Sequence, residues 1–153
     1  ILLGGMDLKK GQSIVLGIIL LIILALIFIP KFFNKGDRTV KYKVLESSEI
    51  PEKIKEILPK YLAEERALTL RLNDEVYILV MRGEKNTGGY TVDVDKIIKE
   101  QITKEEFDLI VHAKFKDPAE DDIVAQSFTY PFTIVKTNLK DMPENIKLEI
   151  EYE

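Results

Sequence analysis

Residues 68–81 read LTLRLNDEVYILVM, and this stretch decides the class of fold. Every second residue from 68 to 72 is leucine and the residues between are polar, as in a strand with one buried face. The polar pair Asn73 and Asp74 then separates this stretch from a second apolar one at 76–81. Asparagine and aspartate tolerate the left-handed backbone of a tight turn. The pattern therefore predicts a β-hairpin.

The same two-residue period continues in both directions along the chain. Apolar and polar side chains alternate in five further stretches, at 40–44, 90–94, 107–115, 128–134 and 146–152. Strands with one apolar and one polar face are typical of antiparallel sheets. The sequence therefore predicts an α+β fold, mainly an antiparallel β-sheet of about seven strands.

One stretch has a helical period instead. Apolar residues spaced by three or four positions form a single stripe there: Ile50, Ile54, Ile57, Leu58, Tyr61 and Leu62. Ser48 is predicted to cap this helix and Pro51 to lie in its first turn. Pro59 is expected to end or kink the helix after Leu58. The amphipathic helix should cover the sheet with its apolar stripe.

The N-terminal region contains the most apolar part of the chain. Residues 14–29 read IVLGIILLIILALIFI, and Pro30 and the sequence KFF at 31–33 follow them. Aromatic and cationic residues at the end of an apolar stretch are typical of a membrane interface. A helix that is apolar on all sides needs lipid or protein around it, and so small a domain cannot enclose it. We therefore predict that residues 14–30 are a transmembrane signal-anchor in contact with the lipid bilayer.

A cleaved signal peptide is the main alternative for this segment, because residues 6–10 form a basic start. No small-residue cleavage motif follows the apolar stretch, which favours an uncleaved anchor. Residues 1–13 are assigned to an N-terminal tail, and one interpretation of residues 1–5 is upstream translation that is not native to the protein.

The remainder is predicted to be a basic linker at 31–39 and a single β-rich domain at 40–153. More lysines and arginines follow the apolar stretch than precede it, which favours a cytoplasmic domain under the positive-inside rule. The short tail and the β-rich domain favour export instead. The expected location is the cell membrane, with a single span and the domain outside the cytoplasm.

Composition excludes several classes of function. The chain has no cysteine, so disulfides, thiolate metal sites and a cysteine nucleophile are excluded. Its net charge is −4 although residues 1–36 are net basic, so the domain itself is distinctly acidic. An acidic domain argues against nucleic acid as a partner, because phosphate binding depends on an excess of lysine and arginine.

Three features of the sequence are candidates for chemical sites. The glycine-rich stretch RGEKNTGGY at 82–90 lacks the spacing of a phosphate-binding loop, so it is interpreted as a hairpin loop. His112 has no nucleophile paired with it by any motif and is interpreted as a surface residue. The acidic loop 117–122 lacks the spacing of a dedicated calcium loop and is interpreted as a solvated turn. No catalytic residue, metal ligand or cofactor is predicted.

Two motifs in this order carry a resemblance to a known family. The first contains Gly83, Lys85, Thr87, Gly88, Gly89, Tyr90 and Val92. After an alternating strand that ends in Asp-Pro at 117–118, the second contains Gln126, Thr129, Tyr130, Pro131, Phe132 and Ile134. Together they resemble the C-terminal domain of PrcB-type protease-complex subunits, with residues 76–137 as the similar core.

The resemblance implies a non-enzymatic domain that helps to assemble or stabilise a cell-envelope protease, and hence a protein partner, such as a secreted or membrane protease. The sequence departs from the family in its anchor, because a hydrophobic helix replaces any lipid-modified cysteine. The candidate partner-binding residues are Gly83, Lys85, Asn86, Thr87, Gly88, Gly89, Tyr90, Tyr130, Pro131 and Phe132.

The second motif makes two structural predictions. Tyr130 and Phe132 share a strand phase with Phe128 and Ile134, so their default role is core packing. Pro131 cannot donate a ladder hydrogen bond, so its strand is expected to lie at an edge or to contain a bulge. Two other functions remain open from the residues alone. One is an envelope hydrolase or small-ligand-binding domain whose site is not visible in sequence, and the other is a purely structural module near the membrane.

Overall fold

The computed structural model describes residues 2–33 and 38–153, and within the first range it describes the side chains of residues 9–27. The chain forms two compact units, Ile1–Arg38 and Thr39–Glu153.

In its described residues, the first unit contains the helix α1 at Leu2–Phe33. Its segment Lys9–Ile27 is long and apolar enough to cross a membrane, and a signal sequence has the same properties. The helix is longer than the predicted span at both ends. At the N-terminal end the residues before Ser13 are also helical, and the Ser13 hydroxyl donates to the carbonyl of Lys9 at 3.1 Å. The predicted linker 31–39 overlaps the end of α1, and its residues 34–37 lie outside the described residues.

The second unit contains seven strands and short helical turns. The strands are β1 (Tyr42–Val44), β2 (Glu65–Leu72), β3 (Glu75–Arg82), β4 (Thr91–Gln101), β5 (Phe107–Lys116), β6 (Phe132–Thr137) and β7 (Ile146–Tyr152). They form a four-stranded sheet in the order β1-β6-β3-β2 and a three-stranded sheet in the order β4-β5-β7. The α+β fold predicted from the alternating pattern is confirmed, with the strands divided between two sheets.

The hairpin predicted from residues 68–81 is formed by β2 and β3. Leu72 pairs with Glu75, and Asn73 and Asp74 between them have φ angles of 51° and 62°. Two consecutive left-handed residues are typical of the type I′ turn, whose twist matches that of the strands it joins. The turn chemistry of the sequence therefore set the register of this hairpin.

One strand pairing differs from the antiparallel pattern. Four of the five pairings within the described chain are antiparallel, but β5 and β7 are parallel. Residues 117–145 carry the chain back to the start of β5 before β7 begins. Alternation of side chains predicts which face of a strand is buried. The alternation is the same in parallel and antiparallel strands, so it does not predict the direction of pairing.

The main core lies between the two sheets. It contains the inward residues of both sheets: Val40, Ala67, Val76, Ile78, Val80, Val92, Ile97, Phe107, Leu109, Val111, Ala113, Phe115, Val135 and Leu139. A second cluster lies on the opposite face of the four-stranded sheet, so β3 is buried on both faces. Its residues are Ile50, Ile54, Leu58, Tyr77, Leu79, Met81 and Ile134.

The predicted amphipathic helix covers this second cluster as expected, but it is short. A 3₁₀ turn at Ser47–Glu49 precedes α2 at Glu52–Ile57, and a second 3₁₀ turn follows at Leu58–Lys60. The prediction that Ser48 caps the helix was wrong, because Ser48 lies inside the first 3₁₀ turn and Pro51 precedes α2. Proline disfavours the helical conformation in the residue before it, so Ile50 is extended and separates the first 3₁₀ turn from α2, which has Pro51 as its N-cap.

Candidate functional site

The fold brings the two sequence motifs into direct contact. The backbone N–H and C=O groups of Lys85 and Thr129 exchange two hydrogen bonds of 2.9 Å each. The hydroxyl of Thr129 also donates to the carbonyl of Thr87 at 2.6 Å, and the N–H of Gly88 donates to the carbonyl of Ala125 at 2.9 Å. The candidate residues from 83–90 and 130–132 therefore belong to neighbouring segments of one surface.

The glycine loop depends on an unusual backbone conformation at two positions. Gly83 has a φ of 86° and Gly89 a φ of 91°, whereas Gly88 lies outside this region. Side chains disfavour such φ angles, so glycine is the residue that suits both positions. The loop leads into strand β4 and not into a helix, so it lacks the helix N-terminus that a phosphate-binding loop provides.

The aromatic residues of the second motif are exposed. Phe128 is 64% exposed, Tyr130 39% and Phe132 37%, whereas Ile134 in the same phase is 1% exposed. The core-packing role expected for Tyr130 and Phe132 was wrong. The cluster that α2 covers includes Ile134 but none of these three rings. We call Phe128, Tyr130 and Phe132 the aromatic stripe.

Tyr130 makes one polar contact through its side chain. Its hydroxyl donates to the carboxylate of Glu84 at 2.7 Å. This hydrogen bond, with smaller contributions from burial and from the negative charge of Glu84, raises the pKa of Tyr130 above its usual value. The contact joins the glycine loop to the aromatic stripe and orients the ring.

Pro131 stands immediately before β6. Its carbonyl accepts a hydrogen bond of 2.9 Å from the N–H of Arg82. From this contact to the Lys85–Thr129 pair, the chain advances three residues from Arg82 to Lys85 but only two between Thr129 and Pro131. The extra residue makes a bulge at Gly83 and Glu84. This bulge lies in the strand opposite Pro131, whereas the prediction had placed it in the strand of Pro131 itself. The edge prediction is wrong for β6 as a whole, because β6 lies between β1 and β3, but it holds at Pro131, because β1 pairs only with residues 135–137.

Arg82 is a central residue of this region that the sequence reasoning missed. Its side chain is 3% exposed, donates to the carbonyl of Lys116 at 2.7 Å and pairs with the carboxylate of Asp117. The guanidinium carbon lies 4.8 Å from the ring centroid of Tyr90 and 5.2 Å from that of Phe115. These distances are typical of cation–π contacts. Arg82 therefore fixes Tyr90, at the end of the glycine loop, to the adjacent sheet.

A signal for Arg82 was present in the sequence. The residue follows the continuous apolar stretch of β3 and is followed at once by glycine, and the Asp-Pro element at 117–118 supplies its partner. A strand that is buried on both faces, such as β3, also buries a charged side chain at its last position. Periodicity alone assigns such a charge to the surface.

His112 lies away from this surface, on the outer face of the three-stranded sheet. Its Nδ1 is 3.3 Å from a carboxylate oxygen of Glu149. Both residues line an open depression of about 260 Å³ whose other side chains are mostly charged, with Asp95, Lys96 and Lys114 among them. The depression contains no serine among its lining residues, so it does not reproduce a hydroxyl–histidine pair.

The acidic loop 117–122 is held by its own backbone. The carboxylate of Asp122 accepts the N–H of Ala119 at 2.8 Å, and the N–H of Asp122 donates back to the carbonyl of Ala119 at 3.0 Å. In the ranges 2–33 and 38–153, no three or more acidic or histidine side chains are grouped so as to hold a metal ion. The loop thus has the geometry of a closed turn.

Residues 76–138 match the family model described as PrcB C-terminal. This match confirms the resemblance deduced from the two motifs, and it covers almost all of β3 and the whole of β4, β5 and β6. The family suggests a domain associated with a protease complex. No curated protein and no solved structure matches the chain.

Proposed function

We propose that this chain, with its PrcB C-terminal segment, is a membrane-anchored, non-enzymatic module that binds a protein partner and helps to assemble or stabilise an envelope protease complex. The observation that carries the proposal is the meeting of the two family motifs. They are about forty residues apart in sequence, and the Lys85–Thr129 bridge joins them beside the exposed aromatic stripe. Exposed aromatic side chains next to structured polar loops are typical of protein-binding surfaces.

The surface has the rigidity that recognition requires. Backbone hydrogen bonds of Lys85 to Thr129 and of Gly88 to Ala125 hold the loop. The contacts of Arg82 with the carbonyl of Lys116 and with Asp117, here called the arginine clamp, hold its start, and the hydrogen bond from Tyr130 to Glu84 orients the aromatic ring. Because these groups are already ordered, the domain loses little additional conformational entropy when a partner binds. The proposed contacts are the loop residues from Gly83 to Tyr90 and the segment Tyr130, Pro131 and Phe132.

Membrane attachment is proposed through α1. The apolar segment Lys9–Ile27 is 19 residues long. At ~1.5 Å per residue it extends about 28 Å, close to the ~30 Å thickness of a bilayer hydrocarbon core. We place the β-rich domain outside the cytoplasm, where an envelope protease is found.

The anchor makes the first prediction. Protein recovered from the membrane fraction should retain its N-terminal residues, because no cleavage motif follows the apolar segment. Deletion of residues 1–36 should release a soluble, folded domain. Mass spectrometry of the membrane protein and circular dichroism of residues 37–153 measure the two results. A mature protein that begins after Pro30 would show a cleaved signal and contradict the anchor.

The loop surface makes the second prediction. The double substitution Lys85→Ala with Asn86→Ala should weaken co-purification of the protease partner about tenfold, the effect of losing about one polar contact at an interface. The domain should stay folded, because Asn86 is exposed and the bonds of Lys85 to Thr129 are made by its backbone. Co-purification from membranes, quantified by mass spectrometry, provides the measurement.

The matched control is Lys104→Ala with Glu105→Ala, in the turn at the opposite end of the β4–β5 pair. It should leave co-purification unchanged. An equal loss in both variants would remove the loop from the binding surface. Hydrolysis by purified residues 37–153 that disappears in His112→Ala would favour an enzyme and overturn the proposed function.

A further inference from the structure

The first half of β6 has a neighbouring strand on one side only. β1 pairs with residues 135–137 of β6, and the N–H of Leu45 reaches the carbonyl of Ile134 at 2.9 Å. The chain then leaves the sheet, because the 3₁₀ turn at Ser47–Glu49 begins two residues later. On the β1 side of β6, no strand of the described chain therefore lies beside residues 130–133. On the β3 side, those residues continue to pair with β3 and with the segment after it.

The backbone groups that face this vacant position follow from the hydrogen-bond pattern. Antiparallel residues alternate between those that bond to one neighbouring strand and those that bond to the other. Pro131 accepts from Arg82, and Thr129 exchanges two bonds with Lys85. The N–H and C=O groups of Tyr130 and Phe132 must therefore point away from β3, towards the vacant position. Within residues 38–153 no backbone partner is present for them.

The side chains around this edge are unusual for the chain. Residues 128–134 read FTYPFTI and carry no charge, and three of them form the exposed aromatic stripe. The strands at the sheet edges carry charged side chains: Lys43 in β1; Glu65, Arg66 and Arg71 in β2; Asp93, Asp95 and Lys96 in β4; and Lys147, Glu149 and Glu151 in β7. Charges on an edge strand oppose pairing with another chain. The edge at 130–133 lacks this protection.

We propose that an extended segment of the protein partner adds as a strand beside residues 130–133, antiparallel to β6 and in line with β1. The partner is the one assigned under the proposed function, and the added detail is its chemistry. The segment exchanges backbone hydrogen bonds with Tyr130 and Phe132, and it carries β-branched or aromatic side chains at alternate positions. Those side chains pack on the rings of the aromatic stripe, as cross-strand aromatic and β-branched pairs do within a sheet.

A second copy of this chain fits the vacant position less well. The strands at its own sheet edges are charged, and the outer edge of β4 is already bonded to residues 39–42 through Thr39, Val40 and Tyr42. Any of these charged edge strands would place its charges against uncharged aromatic rings. The uncharged edge at 130–133 of a second copy would pair with its like in a symmetric dimer, so a wild-type dimer that Phe132→Pro dissociates would overturn the assignment to a different protein. A segment from a different protein with an uncharged, alternating apolar face satisfies both the backbone groups and the rings.

The test uses the full chain in lipid nanodiscs and a short fluorescent peptide of alternating valine and threonine with a lysine at each end. Fluorescence anisotropy measures binding to the wild type and to the variants Phe132→Pro and Phe132→Ala. Proline removes the N–H that faces the vacant position, and it breaks no hydrogen bond to β3, because Phe132 and Met81 are not a hydrogen-bonded pair. Alanine removes the ring and keeps the N–H. We expect binding to be at least tenfold weaker in Phe132→Pro than in Phe132→Ala.

A second peptide provides a readout that does not depend on a variant. N-methyl groups on two consecutive central residues block both edges of the peptide, so its binding to the wild type should be lost. Failure of the unmodified peptide to bind, or equal binding of the methylated peptide, would overturn the strand assignment. If Phe132→Pro is unfolded by circular dichroism, the two peptides decide the question.

Failure of this inference is distinguishable from failure of the proposed function. A protease that co-purifies equally with the wild type and with folded Phe132→Pro supports a protein-binding module and overturns strand addition. Specific binding of the unmodified peptide, without any protease co-purifying with the wild type, supports strand addition and overturns the protease-complex assignment.

Discussion

Gly89→Ala is expected to lower the free energy of unfolding of the domain by about 3 kcal/mol. A left-handed backbone costs a residue with a side chain about 1–2 kcal/mol, and Gly89 has a φ of +91°. A Cβ at this position would lie 2.7 Å from Cγ1 of Val124 and 2.8 Å from Cβ of Pro118. The shifts of neighbouring atoms that make room for this Cβ should lower the free energy of unfolding by about 1–3 kcal/mol more, the usual cost of overpacking. The loop cannot move away freely, because Gly88 and Thr87 are bonded to the segment that follows Val124.

The neighbouring glycine is the matched control for this prediction. A Cβ on Gly88 would meet the backbone of Ala125 at 3.4 Å, which is close to ordinary contact, and its φ lies outside the left-handed region. Gly88→Ala should therefore change stability little. Thermal unfolding of residues 37–153 should show a midpoint more than about 10 °C lower for Gly89→Ala alone. Similar midpoints for the two variants would contradict the assigned loop geometry.

Arg82→Ala is expected to destabilise the domain by about 3 kcal/mol. The substitution removes a buried side chain that contacts two aromatic rings, and it leaves the carbonyl of Lys116 without its donor. The effect should lie at the lower end for a broken buried ion pair, because Asp117 is 61% exposed and can be rehydrated. Chemical denaturation of residues 37–153 measures the change.

Lys116→Ala provides the control for the arginine clamp. Lys116 is also basic and lies in the same contact, but it contributes its backbone carbonyl and its side chain is exposed. Its substitution should alter stability by less than about 0.5 kcal/mol, as for most surface positions. Equal stability of Arg82→Ala and the wild type would mean that the buried clamp contributes nothing to the fold. Loss of loop order in Arg82→Ala would also weaken partner binding.

The strands were predictable from the sequence because each one carries its own pattern. Alternation identified six of the seven strands of residues 39–153, although β6 begins at Phe132 and not at 128. The apolar stretch 76–81 identified β3, and Asn73 with Asp74 identified the first turn. The parallel pairing of β5 with β7 was not predictable, since it depends on the path of residues 117–145 and not on side-chain period. Local patterns specify elements, whereas their partners are chosen by the packing of the whole domain.

The candidate surface was predictable only in part. The two motifs identified the segments, but their contact through Lys85 and Thr129 requires the three-dimensional fold. The period of residues 128–134 gave the correct phase for Phe132 and the wrong burial, because phase does not say whether another layer covers that face. Arg82 was missed for the converse reason. Its charge suggested an exposed side chain, but the side chain is buried and paired with Asp117.

The parallel pairing of β5 with β7 affects the order of folding. The β2–β3 hairpin closes across two residues, and isolated hairpins form within about 1–10 microseconds. β7 can pair with β5 only after the segment 117–145, about thirty residues that include β6, has returned the chain to the start of β5, and this longer separation carries a larger entropic cost. Until then β5, with five residues buried in the core of the finished domain, exposes an open edge. We therefore expect β5 to be the strand most open to pairing with another chain during folding, until β7 covers its edge.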